Sequence, residues 1–275
     1  VYKRQVLEWP GHEPAAIFLH GLTGVAEVWG PTVAALGEAR PASFALDQRG
    51  HGHSPKPVSR YEVANHVRDL VESIEALRLD RPDLVGHSMG ARVAMVAAAR
   101  HPALFRSVTI VDIGPEQWTA NWVDSIAAFD RLPALWPSVD AAVGRAGQVR
   151  PGSSLDAALA AVGPGAAPLR AIAEARLRVT SDGSASWLAS VDALKQTVKA
   201  HRSRAYWSEW TRIGVPAMLI HGELSDELRP STVARMRAMR PDVRYEELIG
   251  VGHNIPLIAP TRLGRLLQDF WGKLG

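Results

Sequence analysis

Gly86-His87-Ser88-Met89-Gly90 lies between a short apolar run ending in Asp83-Leu84-Val85 and a dense stretch of helix formers, residues 91–100. The segment reads as a strand, a tight turn and a helix, with a serine at the apex of the turn. G-x-S-x-G in that setting is a nucleophile elbow. Its glycines have a physical cause. Side chains two residues either side of the serine would collide in so tight a turn, and the strained backbone suits residues without a Cβ. The turn lifts the Ser88 hydroxyl clear and sets it at the positive end of the following helix. The pentapeptide is a weak sign by itself; the strand and helix around it give it weight.

A serine hydroxyl attacks a carbonyl only with a base to take its proton, a group to orient that base, and donors for the oxyanion. His253 stands in Gly250-Val251-Gly252-His253-Asn254, after a strand-like run at 243–248. A final amphipathic helix carrying Leu263, Leu266, Leu267 and Phe270 follows. A histidine on such a late turn can reach back to Ser88, and it is the expected base. The acid should follow a late parallel strand. Residues 217–221 form such a strand, and Glu223, Asp226 and Glu227 come after it. Asp226, four residues past Gly222 at the loop tip, is the expected acid because its short side chain fixes an imidazole well. Asp112, after the strand at 107–111, is the fallback. The expected oxyanion donors are the amides of Met89 and of Leu22, the latter in His20-Gly21-Leu22-Thr23-Gly24 after the strand at 15–19. His20 reads as a structural residue of that loop.

These marks, in order, resemble the α/β-hydrolase fold family over essentially the whole chain. They are His20-Gly21, the run Asp47-Gln48-Arg49-Gly50-His51-Gly52-His53-Ser54, the elbow, Val111-Asp112-Ile113-Gly114, Gly222-Glu223-Leu224-Ser225-Asp226, and Gly250-Val251-Gly252-His253. The resemblance implies an α/β fold with a mostly parallel eight-stranded sheet flanked by helices, and a triad of Ser88, Asp226 and His253. One departure concerns the acid. Many members carry it three residues after the strand-end glycine, where this chain has Ser225. A Gly-x-x-Ser-Asp variant also occurs in the family, and some members place the acid after the earlier strand, at the position of Asp112.

Strand-like and helical segments alternate, which argues for a parallel sheet covered by helices on both faces. Strands are expected near 1–7, 15–19, 43–47, 83–85, 107–112, 217–221 and 243–248. Residues 61–77 carry apolar side chains at 64, 67, 70, 71, 74 and 77, the spacing of a helix with one buried stripe. The rhythm breaks from 115 to 206, which is Ala-rich and cut by Pro133, Pro137, Pro151 and Gly163-Pro164-Gly165. This reads as a helical cap inserted into a core of residues 1–114 and 207–275, roofing the Ser88 cleft. Trp118 and Trp122 in the cap, with Trp29 after the oxyanion loop, are pocket-wall candidates, since ligand clefts are lined by aromatics. Arg92, one turn beyond Ser88, reads either as a salt bridge behind the site or as a contact for a substrate carboxylate. The resemblance supports the second option, because some members acting on acidic substrates carry an arginine there.

Composition narrows the rest. The 275 residues are 47% hydrophobic, with no apolar run near the ~20 residues that span a bilayer. Zero cysteines rule out disulfides and thiolate chemistry. Lys and Arg number 31 against 28 Asp and Glu, a dispersed excess. Its densest patch, Lys195 to Arg204, reads as the outer face of a helix, so nucleic acid is not an expected partner. His51 and His53 invite a metal, but no third ligand follows at a sensible spacing, and no metal is expected. No G-x-G-x-x-G or Walker pattern points to a nucleotide cofactor. The reading is a cytoplasmic enzyme without cofactor, hydrolysing a small carboxylic ester through an acyl-enzyme; lactones need the same apparatus. A leader removed ahead of Val1 is compatible with it. The alternative is C–C bond cleavage or elimination on a carboxylate-bearing substrate.

Overall fold

The computed structural model describes residues 4–116, 126, 127, 129, 130, 133–146 and 167–274. Among them, seven strands form one sheet: β1 (Val6–Trp9), β2 (His12–Leu19), β3 (Pro41–Leu46), β4 (Asp83–His87), β5 (Ser107–Val111), β8 (Ala217–Gly222) and β9 (Arg244–Leu248). Their order is β1-β3-β2-β4-β5-β8-β9, with β1 antiparallel to β3 and the remaining pairs parallel. Each strand corresponds to one expected segment. The count is seven among the described residues rather than eight, and the first strand starts at Val6 rather than at the first residue.

Both faces are covered because the strand residues alternate. Ile17 and Leu19 point into one apolar layer with Leu84 and Leu219, whereas Ala16 and Phe18 point into the other with Val85, Met218 and Ile220. Helices α2 (Val63–Leu77) and α3 (Met89–Arg100) close the first layer; α1 (Gly30–Ala35) and the last helix, Pro260–Trp271, close the second. The stripe of α2 departs from the expected one in a telling way. Ala64 is exposed, and Asp69 is buried. Asp69 binds Arg49 at 2.5 Å and Arg4 at 2.5 Å, so it ties the helix to the loop after β3.

Between β5 and β8 the described residues add no strand to this sheet. They form α4 (Val139–Ala146), α5 (Ala167–Glu174), α6 (Val191–His201) and α7 (Trp207–Thr211). They also form a hairpin of β6 (Leu177–Val179) and β7 (Ala185–Trp187), which an all-helical expectation missed. The hairpin turns at Asp182-Gly183, where Gly183 has φ +83°, a turn dipeptide that could have announced it. No helix among the described residues is long and apolar enough to cross a membrane.

The chain leaves β2 toward one edge of the sheet and leaves β4 toward the other. The crevice at the carboxyl ends of β2 and β4 is thus the topological switch point, where ligands bind in such sheets. In register there are Leu19 beside Gly86, His87 beside Val111, and Gly222 beside Leu248. The loops that follow these ends converge on one rim.

Candidate active site

Ser88 sits between β4 and α3 with φ +52° and ψ −118°, a conformation that costs a non-glycine residue about 1–3 kcal/mol. Surrounding bonds hold it: the Ser88 N–H donates to Val111 O at 3.0 Å, and the Arg92 N–H donates to Ser88 O at 3.1 Å. The glycines of the elbow answer to close backbone approach. A Cβ on Gly86 would lie 2.4 Å from Gly90 O, and one on Gly90 would lie 2.3 Å from Leu19 O. Either methyl would force the strand, the turn or the oxyanion loop apart.

His253 comes to the serine from the loop after β9. Its Nε2 accepts from Ser88 Oγ at 2.9 Å, and its Nδ1 donates to Asp112 Oδ2 at 2.7 Å. Ser88 and His253 are therefore brought together as expected, but the carboxylate on the imidazole is the fallback, Asp112. Asp226 is exposed at the loop tip and acts on the ring only through its distant charge. The physical reason is local. Asp112 has φ +55° at the end of β5, and its N–H donates to Ile220 O at 2.9 Å. That turn aims the carboxylate at the loop after β8. There Oδ1 accepts from the Gly222 N–H at 2.8 Å and Oδ2 from Ser225 Oγ at 2.5 Å. Ser225, at the sequence position where the resemblance leads one to seek an acid, is a donor to the acid one strand earlier. Glu223 is also committed elsewhere, accepting from the Gly250 N–H at 2.8 Å.

Burial on its own would push the His253 imidazole down, but the Asp112 carboxylate outweighs it and holds the ring above the ordinary histidine range. The arrangement can take a proton from Ser88 Oγ and keep the resulting imidazolium paired with a buried, fully satisfied carboxylate. His87, inside the motif itself, was not singled out from the sequence. Burial, with the charge of His253 as a smaller cause, drives it down to about 3, so it is neutral. Its Nε2 donates to the backbone carbonyl of His253 at 2.8 Å and fixes the loop that carries the base. The turn brings β4 and the loop after β9 together; only that tertiary neighbour shows the role.

The loop after β2 closes the site. Gly21 lies against the elbow, its missing Cβ 3.2 Å from Ser88 Cβ. His20 is structural as expected: Nε2 accepts from the Gln48 N–H at 3.0 Å, which leaves Nδ1 to donate to Gly21 O at 2.8 Å. Burial, the main cause, lowers it to about 4. Met89 opens α3, and first-turn amides have no intrahelical acceptor. Leu22 packs against Phe129, Leu194 and Val198 from the segment between β5 and β8.

The remaining candidates fall elsewhere. Trp29 is fully buried in the layer between sheet and last helix, its ring 5.1 Å from Phe18, so it is core and not pocket wall. Trp118 and Trp122 lie outside the described residues. Arg92 is 1% exposed and donates to His201 O at 2.7 Å and Gly114 O at 3.0 Å. These bonds join α3 to both ends of the intervening segment and engage both terminal amino groups of the guanidinium. His51 is buried with its Nδ1 donating to Arg49 O at 3.0 Å, and the His53 N–H donates to Asp47 Oδ2 at 2.8 Å.

Known proteins share this fold. The chain is 31% identical over 265 residues to 2-(acetamidomethylene)succinate hydrolase of Mesorhizobium japonicum, covering 94% of this chain and 88% of that protein. The crystal structure of an E-2-(acetamidomethylene)succinate hydrolase superposes with a TM-score of 0.85 at 28% identity over 99% of both chains. An enol-lactonase from Burkholderia xenovorans LB400 shares the fold, with a TM-score of 0.77 at 19% identity over 98% of this chain and 97% of the other. A sequence model of the alpha/beta hydrolase fold matches residues 14–260. With strand order, elbow and match in accord, the chain belongs to the α/β-hydrolase fold family and is a hydrolase.

Proposed function

We propose that this protein hydrolyses a small acyl substrate through a covalent acyl-enzyme on Ser88. The observation that carries the reading is the continuous chain Ser88 Oγ, His253 Nε2, His253 Nδ1, Asp112 Oδ2, with links of 2.9 and 2.7 Å. Ser88 Oγ attacks the carbonyl carbon as His253 Nε2 takes its proton. The tetrahedral oxyanion sits on the amides of Met89 and Leu22. His253 then gives the proton to the leaving group, whose bond to the acyl carbon breaks. Water, deprotonated by His253, attacks the acyl carbon and frees Ser88. Asp112 keeps the imidazole in the Nδ1–H tautomer and stabilises its charged form. Segment 115–206 serves as the cap of this site, an assignment supported by Leu22 packing beneath it.

Carboxylic esters are the first substrate class in this reading. Cleavage of a C–C or related acyl bond in a substrate bearing a free carboxylate is the second, and it is supported by the succinate in the names of the relatives. The test is turnover of p-nitrophenyl acetate, butyrate and octanoate, together with covalent labelling by a fluorophosphonate. Wild type is expected to label at Ser88 and turn over at least the short esters, and Ser88→Ala to lose both. Turnover that survives in Ser88→Ala sinks the mechanism.

A further inference from the structure

Arg176 is a buried cation that meets no anion among the described residues. It follows α5 at the start of the hairpin, and its residue exposure is 9%. Its backbone is satisfied: the N–H donates to Ala173 O, and the carbonyl accepts from the Leu188 N–H. The guanidinium is not. Its Nε is buried without a partner, and among the described residues no carboxylate or carbonyl meets it. The three other buried arginines of the described residues are all paired: Arg49 with Asp69, Arg92 with two carbonyls, and Arg240 with Asp242 and Ile213 O. Burial alone, with no compensating anion, pulls Arg176 down to about 10, which still leaves it charged at neutral pH. An unpaired charge at such depth is expensive and persists where a ligand supplies its partner.

The place it occupies fits a ligand. Arg176 lines a cavity of about 50 Å³ together with Leu22, Thr23, His87 and Asn254. A water molecule takes about 30 Å³ of liquid, so the space suits one or two waters or a single carboxylate. The wall is built from residues next to the site in the chain: His87 precedes Ser88, Asn254 follows His253, and Leu22 belongs to the proposed oxyanion loop. Among the described residues of that wall Arg176 is the one formally charged side chain, since His87 is neutral.

Resting on the serine-hydrolase reading above, we propose that Arg176 is a specificity residue that binds the free carboxylate of the substrate, a few carbon atoms from the scissile carbonyl. A guanidinium fork meets a carboxylate through two parallel N–H donors, and a neutral acyl chain offers it nothing. The substrate class is therefore the monoacyl derivative of a short dicarboxylate. The contact lies on the cap side of the cleft, so the cap supplies recognition while the core supplies chemistry.

The experiment compares methyl hydrogen succinate with methyl butyrate, followed by proton release, in wild type, Arg176→Met and Arg176→Lys. Wild type should favour the succinate ester. Arg176→Met should lose about 100-fold in kcat/KM on it, in line with a charged hydrogen-bonded pair. Methyl butyrate should be almost unaffected, and Arg176→Lys should recover part of the loss. Free succinate should also slow fluorophosphonate labelling of Ser88 in wild type but not in Arg176→Met. Because the guanidinium has no counter-charge among the described residues, Arg176→Met should raise Tm. Equal losses on both esters, a falling Tm, no wild-type preference, or labelling that succinate does not slow would each overturn the proposal while leaving the serine-hydrolase reading intact. A folded wild type that neither labels nor turns over would bring down that reading and the proposal with it.

Discussion

The carboxylate on His253 belongs to Asp112, the fallback, one strand earlier than the expected Asp226. Ser225, next to Asp226 in the chain, donates to Asp112 at 2.5 Å. The consequence is measurable. Asp112→Asn should lower kcat by about 10³–10⁴-fold, the scale for losing the orienting carboxylate of a triad, whereas Asp226→Asn should leave kcat/KM nearly unchanged. Equal effects of the two changes would contradict the geometry. The pH profile carries the same information. Activity needs neutral His253, whose pKa is held above the ordinary 6.5 by Asp112 against the opposing effect of burial. The kcat/KM of wild type should therefore fall as pH drops through a value above 6.5. In Asp112→Asn burial is opposed only by the smaller effects of the Glu227 and Asp226 charges, and the same limb should move to lower pH.

Helix α3 is the element that ties the sheet to the segment between β5 and β8. It starts at the elbow, buries ten of its twelve residues, and sends Arg92 through the core to carbonyls at Gly114 and His201, where the intervening segment leaves and returns. Burial lowers Arg92 to about 10, and Tyr206 stacks on it at 5.4 Å. Arg92→Met would strand two buried carbonyls at a cost of about 1–3 kcal/mol each. A domain of this size loses about 2–4 °C of Tm per kcal/mol, so Tm should fall by several degrees. Any change in KM should be shared by neutral and carboxylate substrates alike. A loss confined to carboxylate substrates would restore Arg92 to the binding site and weigh against Arg176.

Across the whole molecule, five buried histidines are held neutral. His20 is lowered to about 4, His51, His87 and His201 to about 3, and His66 well below 6.5, with burial the leading cause in each. A histidine whose folded pKa is depressed contributes stability above its unfolded pKa near 6.5 and loses it as pH falls. Each pH unit below 6.5 then weakens folding by about 1.4 kcal/mol per such group. His253 works in the opposite direction: its raised pKa adds stability at low pH that fades as pH rises through the folded value, but it is one group against five. Urea midpoints should therefore fall steeply from pH 6.5 toward pH 4.5. A flat profile over that window would show these imidazoles to be solvated.

The sequence by itself determined what depends on neighbours along the chain. All seven strands were legible as short strand-like runs, and the elbow as two glycines around a serine, because strand pleat and turn sterics act over a few residues. Ser88, His253 and the structural role of His20 followed from these local patterns. Tertiary structure decided whatever depends on which loops meet. Asp112 and Asp226 both follow parallel strands, and only the register of β5 beside β8, with the φ of Asp112, says which one faces the imidazole. Trp29 reads as a pocket wall until Phe18 and the last helix close over it. Arg176 is one arginine in an Ala-rich stretch; it becomes distinctive only when the fold buries it beside the loop after β2, with no counter-charge among the described residues.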